Sequence, residues 1–387
     1  MENTPHLYDT LVHVLSQHAT WGDQRHLKTL AWMMGGLIQS GWISLTAWVP
    51  YVVSRARDAQ STGRRFRRWL DNDKIDVLSL YGPLLQQALA EWGAPALYVA
   101  LDTSMLWNTY CLIRLSVIYR GRAVPLVWCV LEHGSAQVAF AVYRDLLARA
   151  VLLLPPSCKV VFLADRGFAA TELMAYLHQL GWHWRIRIKS SFWLYRPGHR
   201  RCKVARLAVA RGHACFWHRV CITAQRYGLV HLAVARASQG QDVWYVLSDE
   251  PTDEETFKEY GLRFHIEENF LDDKSNGFQL ESSLIRSAQA LTRLCFVLAV
   301  TTLYLVAQGT EVVKQGKRRW VDPHWFRGQS YLKIGWHWVK LALRRGLDLL
   351  TTLALSGADD PEPAMASKRQ YQHDCQTRFA FEFQDAA

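Results

Sequence analysis

The spacing of apolar positions changes along the chain and divides it. Over residues 1–93 apolar residues recur mostly at helical intervals, and 27–53 is an apolar stretch rich in Trp, Gly and Ser. At Pro95 the period shortens. Residues 96–101 form a short apolar run that stops at Asp102, which predicts a buried strand ending there. Residues 110–119 read as a second strand, and Gly121 turns the chain into a third over 123–132, a hairpin. Helical spacing returns over 137–154. Residues 159–164 form another apolar run, stopping at Asp165; 169–180 read as helix, and 183–189 alternate as a fifth strand.

Residues 191–250 break this rhythm. Strand candidates at 213–223, 228–237 and 242–248 are separated by basic and Gly-containing turns, which predicts a β-rich insertion. From 256 to 308 the pattern is helical again, and the polar tail from Met365 is expected to fray. Strand, strand, strand, helix, strand, helix, strand is the element order of a ribonuclease-H-like α/β core. The expected organisation is a helical DNA-binding region at 1–93, the first part of the core at 94–190, the insertion at 191–252, the rest of the core at 253–310, and a C-terminal helical region at 311–387 for dimerisation or DNA contact.

Composition narrows the partners. Half of the 387 residues are hydrophobic, which excludes a disordered chain. Lys and Arg number 45 against 34 Asp and Glu, a net +11, so a polyanionic partner is expected, with nucleic acid ahead of a membrane surface. Arg64, Arg65, Arg67 and Arg68 crowd around Phe66 and repel one another unless an anion joins them, so this turn is expected to touch DNA; a solvated charged face is the other reading. The 17 Trp often sit beside cations, as in Trp182-His183-Trp184-Arg185, and suit either base stacking or the core. None of the eight Cys forms a CxxC pair, which argues against zinc and for reduced thiols in the cytoplasm. No signal peptide is evident. Residues 291–307 contain Arg293 and three Thr, so a buried helix is expected there rather than a membrane span.

The candidate chemistry lies in carboxylates. Aspartates at the ends of neighbouring strands can share divalent cations, and oxygen-only ligands suit Mg²⁺ or Mn²⁺. Two such ions ~4 Å apart activate an attacking oxygen and stabilise a leaving one. Each Asp equally suits capping of its own turn, Asp102 before Thr103-Ser104 and Asp165 before Arg166-Gly167. Downstream, Tyr260, Arg263 and Glu267 step by three and four, and Lys274 lies seven further on, so all four are expected on one helical face. That face suits either a metal with its surrounding phosphates, leaving Arg263 and Lys274 unpaired until DNA arrives, or an exposed stripe of ion pairs.

Tyr260, Arg263, Glu267 and Lys274 together resemble the Tyr-x2-Arg-x3-Glu-x6-Lys signature of bacterial insertion-sequence DDE transposases. The resemblance extends to Leu101-Asp102-Thr103, to Leu163-Ala164-Asp165-Arg166-Gly167-Phe168 and to Ser330-Tyr331-Leu332-Lys333-Ile334-Gly335, over roughly residues 90–345. It implies that Asp102, Asp165 and Glu267 hold two Mg²⁺ ions, with Mn²⁺ as substitute, and that Tyr260, Arg263 and Lys274 bind phosphates near the scissile bond. It implies the long insertion between Asp165 and Glu267, with Trp244 stacking on a base drawn from the duplex. Arg166 and Lys189 are expected as further DNA contacts. The implied reaction is cut-and-paste transposition through a DNA hairpin, on double-stranded inverted-repeat ends and target DNA, by a homodimer without membrane involvement. A ribonuclease-H-like nuclease without strand transfer, and a catalytically silent DNA-binding derivative, are the alternatives.

Overall fold

The computed structural model describes residues 4–53, 58–237, 242–274, 277–324 and 329–362. The polar tail expected from Met365 lies outside them, as does Cys375. The first segment is helical: α1 (Thr4–His18), α2 (Gln24–Ser40), α3 (Leu45–Trp48), α4 (Ala59–Leu70) and α5 (Val77–Leu89). Asp23 caps α2 by accepting from the Arg25 N–H, and Gly41 ends it in the left-handed conformation that glycine adopts without strain. Gly36 has no side chain because Trp48 of α3 lies against its Cα.

The strands follow. β1 (Ala96–Leu106), β2 (Tyr110–Tyr119) and β3 (Arg122–Glu132) form an antiparallel meander. Every residue of β2 is buried, because helices cover the sheet there. β3 leads through α6 (Phe140–Val151) to β4 (Lys159–Ala164), and α7 (Thr171–Gln179) leads to β5 (His183–Arg187). Helical crossovers allow parallel pairing, and β1, β4 and β5 run parallel side by side. One expectation is corrected here: β1 does not stop at Asp102 but runs on to Leu106, still paired to β2 after β4 has ended at Ala164. The polar Asp102-Thr103-Ser104 interrupts the apolar run without interrupting the strand.

The chain then forms β6 (Trp193–Tyr195), β7 (Cys202–Lys203), β8 (Ala214–Ile222), β9 (Tyr227–Arg236) and β10 (Val243–Ser248). β10 pairs antiparallel with β5, so the insertion continues the same sheet, in the order β3-β2-β1-β4-β5-β10-β9-β8-β6-β7. Four further helices complete the described chain: α8 (Glu254–Gly261), α9 (Phe264–Asp273), α10 (Ala288–Lys314) and α11 (Tyr331–Arg345). α10 is long and apolar enough to cross a membrane, but 94% of its most apolar window is buried inside the chain, against β3, α2, α5 and α11. Ser330 caps α11, and a Cβ on Gly335 would overlap the Leu305 carbonyl oxygen of α10, so the two helix backbones touch.

Candidate active site

The sheet register brings the two aspartates together. Leu101 pairs with Ala164, so Asp102 and Asp165 are the next residues on adjacent strands and face the same side. Asp165 accepts the Gly167 N–H at 2.8 Å, and a Cβ on Gly167 would crowd that oxygen at 3.0 Å. Asp102 accepts the Thr103 N–H at 2.8 Å. Asp165 therefore makes the turn-type hydrogen bond expected of it, whereas Asp102, inside the strand, caps no turn, and the two carboxylates are close enough for the Asp165 charge to act on Asp102.

The Glu267 carboxylate joins them through Arg263. The guanidinium donates to Glu267 Oε1 at 2.7 Å and to Asp102 Oδ2 at 3.4 Å. The Asp102 carboxyl is pushed up to about 6: burial is the main cause, the charges of Asp165 and Glu267 add to it, and Arg263 and the Thr103 N–H oppose it. Asp102 and Asp165 are half-buried and Glu267 is exposed, and their donors are all oxygens, the ligand chemistry of a hard divalent cation.

The four-residue helical face is corrected. α8 ends at Gly261 and α9 starts at Phe264, so Tyr260 lies on one helix, Glu267 on the next and Arg263 at the joint. Tyr260 is buried with its ring 5.5 Å from that of Trp244, and Arg263 lies over Phe264 at 4.6 Å. Lys274 caps α9 rather than lying within it, and donates to the Met105 carbonyl of β1 at 2.5 Å, with Glu281 at 3.8 Å. Arg263 and Lys274 are thus paired, contrary to the expectation of free cations. Arg263 pairs with Glu267, four residues on, while the other acids of α9 are held elsewhere: Glu268 and Asp272 on Arg122, and Asp273 on Arg114.

Trp244 is half-buried on β10 with the Arg187 guanidinium 5.8 Å from its ring. Arg166 and Lys189 are exposed, just beyond β4 and β5. On α4, Arg64, Arg67 and Arg68 are exposed, whereas Arg65 is half-buried. α4 packs on α2, α3 and α10.

The periodicity did not single out Arg114. It is fully buried in β2, directly opposite Asp102, and donates to Asn269 at 2.8 Å and Asp273 at 2.6 Å. It pins α9, and so Glu267, above the aspartates. The signal was an arginine inside an otherwise apolar strand, which needs a buried acid somewhere. Arg185 does the same for α8, donating to Glu259 at 2.6 Å and Glu250 at 2.9 Å.

The family model for the transposase DDE domain matches residues 108–304, about half of the chain. The chain belongs to that family. It is a DNA transposase of the DDE type, and divalent-metal dependence goes with the family. The match spans Asp165, Arg263, Glu267 and Lys274 and begins just after Asp102. No curated protein matches the sequence. Among solved structures the transposase is similar to a piggyBac transposase in a synaptic complex with hairpin DNA, seen by cryo-EM, at 10% identity and a TM-score of 0.42, over 100% of this chain and 84% of that one. A feature of composition fits a DNA-acting enzyme: residues 173–241 contain 12 Lys and Arg and no Asp or Glu.

Proposed function

We propose that Asp102, Asp165 and Glu267 are the catalytic carboxylates, and that the enzyme excises and inserts DNA by cut-and-paste transposition at inverted-repeat ends. One observation carries this reading: Asp102 and Asp165 each follow the register pair Leu101–Ala164 of adjacent parallel strands, and a single guanidinium donates to both Asp102 and Glu267. Three parallel strands flanked by an antiparallel meander support a ribonuclease-H-like core. The helices of residues 4–89, with exposed Arg64, Arg67 and Arg68, are read as a DNA-end-binding region.

Two Mg²⁺ ions, or Mn²⁺ in their place, would supply activation of the attacking oxygen and charge stabilisation of the leaving one. The rest falls to the chain. Asp102, Asp165 and Glu267 would hold the ions. With the ions in place, Arg263 would be available to a phosphate beside the scissile bond, and Tyr260 and Lys274 would bind neighbouring phosphates. Trp244, at the same end of the sheet, stacks on a base drawn from the duplex, which frees the strand for attack by the liberated 3′ hydroxyl and gives the hairpin. Arg166 and Lys189 steady the flanking backbone. One site serves every step because each is an in-line displacement at phosphorus with a different nucleophile. Two ends must be held together for excision, which suits a homodimer.

The test is a set of isosteric variants, Asp102→Asn, Asp165→Asn and Glu267→Gln, assayed on labelled end DNA. Each is expected to retain end binding and lose nicking, hairpin formation and joining together. Nicking at the wild-type rate by any one of them removes that residue from the set. Nicking by the parent enzyme without joined product makes it a nuclease instead.

A further inference from the structure

Three strands across the sheet from β4, two histidines have been brought together by an irregularity. Trp217 of β8 pairs with Leu232 of β9, and Val220 pairs with Val230. His218 and Arg219 therefore stand opposite the single residue His231, a bulge of two against one. Arg219 takes φ +55°, a conformation that costs a non-glycine residue about 1 kcal/mol. The result is that His218 Nδ1 lies 3.1 Å from His231 Nδ1, with ring centroids 5.3 Å apart and planes inclined at 60°. The register separates them from the carboxylates across the sheet: His231 pairs with Ser248, Ser248 with Arg185 and Arg185 with Leu163, so the pair stands three strands from β4 and two residues short of the level of Asp165.

We infer that His218 and His231 form a binding site for a first-row transition ion of the Zn²⁺ class, separate from the catalytic carboxylates. A tetrahedral ion with Zn–N bonds of about 2.0–2.1 Å sets its ligand nitrogens roughly 3.3 Å apart, close to the 3.1 Å observed. Imidazole nitrogen selects this class of ion over Mg²⁺, so the two sites need not compete. Burial, and then the neighbouring His218, lower the pKa of His231, which keeps it in the neutral form that ligates. The charges of Asp249 and Arg219 act on His231 in opposite senses, and Asp249 itself accepts from His183 and the Trp184 N–H. The neighbouring group of His183, Asp249 and Glu250, whose ligand atoms all lie within 4.8 Å of one another, is a poorer cation site. Lys159 already holds Glu250 at 2.6 Å, and Arg185 holds it at 2.9 Å. The rival explanation of the histidine pair is one N–H···N hydrogen bond between two neutral rings.

The experiment uses the full-length protein carrying Asp102→Asn and Asp165→Asn, so that the catalytic carboxylates do not mask the result. Zn²⁺ is titrated calorimetrically, and Co²⁺ is followed by its visible absorption. One saturable equivalent is expected, and His218→Gln and His231→Gln should each weaken it by at least about tenfold. An exposed histidine elsewhere, His6, changed to Gln should leave it unaltered. Circular dichroism of the metal-free variants checks folding; should His231→Gln unfold, His218→Gln decides, since that ring is exposed. Undiminished Zn²⁺ affinity in the folded His218 variant, or no saturable site in the parent, overturns the inference and leaves the hydrogen bond.

Discussion

Arg263 stands among the carboxylates much as a cation would, and the remaining imbalance falls on Asp102. Its folded carboxyl titrates near 6, above the ordinary 3.8, so the folded state binds more protons than the unfolded one between those values. Stability therefore falls as pH rises from about 4 to 6, and the penalty persists at neutral pH, on the order of 3 kcal/mol. Asp102→Asn, without metal, is expected to melt higher than the parent at pH 7 and to lose that advantage by pH 4, in paired thermal melts. An equal gain at both pH values would mean that the carboxylate is not under electrostatic stress. At the residue scale, strand ends and helical spacing offered Asp102, Asp165, Arg263 and Glu267 as candidates equally suited to capping and ion pairing, and it was the resemblance to the transposase signature that singled them out. Spacing did not disclose that Arg263 is paired, since it reports which face a side chain occupies and not what stands opposite.

Between residues and fold, the break at Leu262–Arg263 shows why periodicity reached its limit. Gly261 does not impose the break by its own conformation: its φ is not positive, and a Cβ there would meet nothing. The two helices are instead tied to different strands, α8 through Glu259 to Arg185 on β5 and α9 through Asp273 to Arg114 on β2. Tertiary docking of this kind leaves no trace in local pattern. β6 and β7 escaped for another reason, being too short to show alternation. Arg114→Leu is expected to cost about 3–5 kcal/mol by leaving Asp273 buried and unpaired, and Arg114→Leu with Asp273→Leu to recover most of it. Denaturant melts of the cycle check this, and additive losses would mean that the pair does not act as a unit. The close approach of α10 and α11 makes a second case. Gly335→Ala is expected to lower stability by roughly 1–3 kcal/mol or more, since the obstacle is backbone and cannot swing aside. A wild-type melting temperature would mean that the helices separate easily.

At the scale of the whole molecule, the insertion is continuous with the core. Its strands were legible within one or two residues, but not their pairing, because alternation is the same whichever neighbour a strand finds. Since β10 covers the edge of β5, removal of residues 191–252 should expose that edge and yield insoluble protein. A soluble deletion variant with native-like circular dichroism would contradict a single shared sheet. The charge of the same region adds a test in solution. Arg200→Glu and Arg201→Glu should each flatten the dependence of log affinity on log salt for end DNA by about 0.9 if a phosphate contact is lost. An unchanged slope would place the DNA elsewhere.

The distance in sequence between Asp102 and Glu267 has a consequence for biosynthesis. The interval is 267 − 102 = 165 residues, and the central helix α10 follows only after it. At about 5–20 residues per second, a ribosome takes roughly 8–33 s to pass from the first carboxylate to the last. Within that interval the three parallel strands are complete only once β5 has been made, and even then the nascent chain has neither Glu267 nor the helix that closes the core. A chain truncated anywhere in between should have no cutting activity, so DNA is exposed only to finished copies of the enzyme.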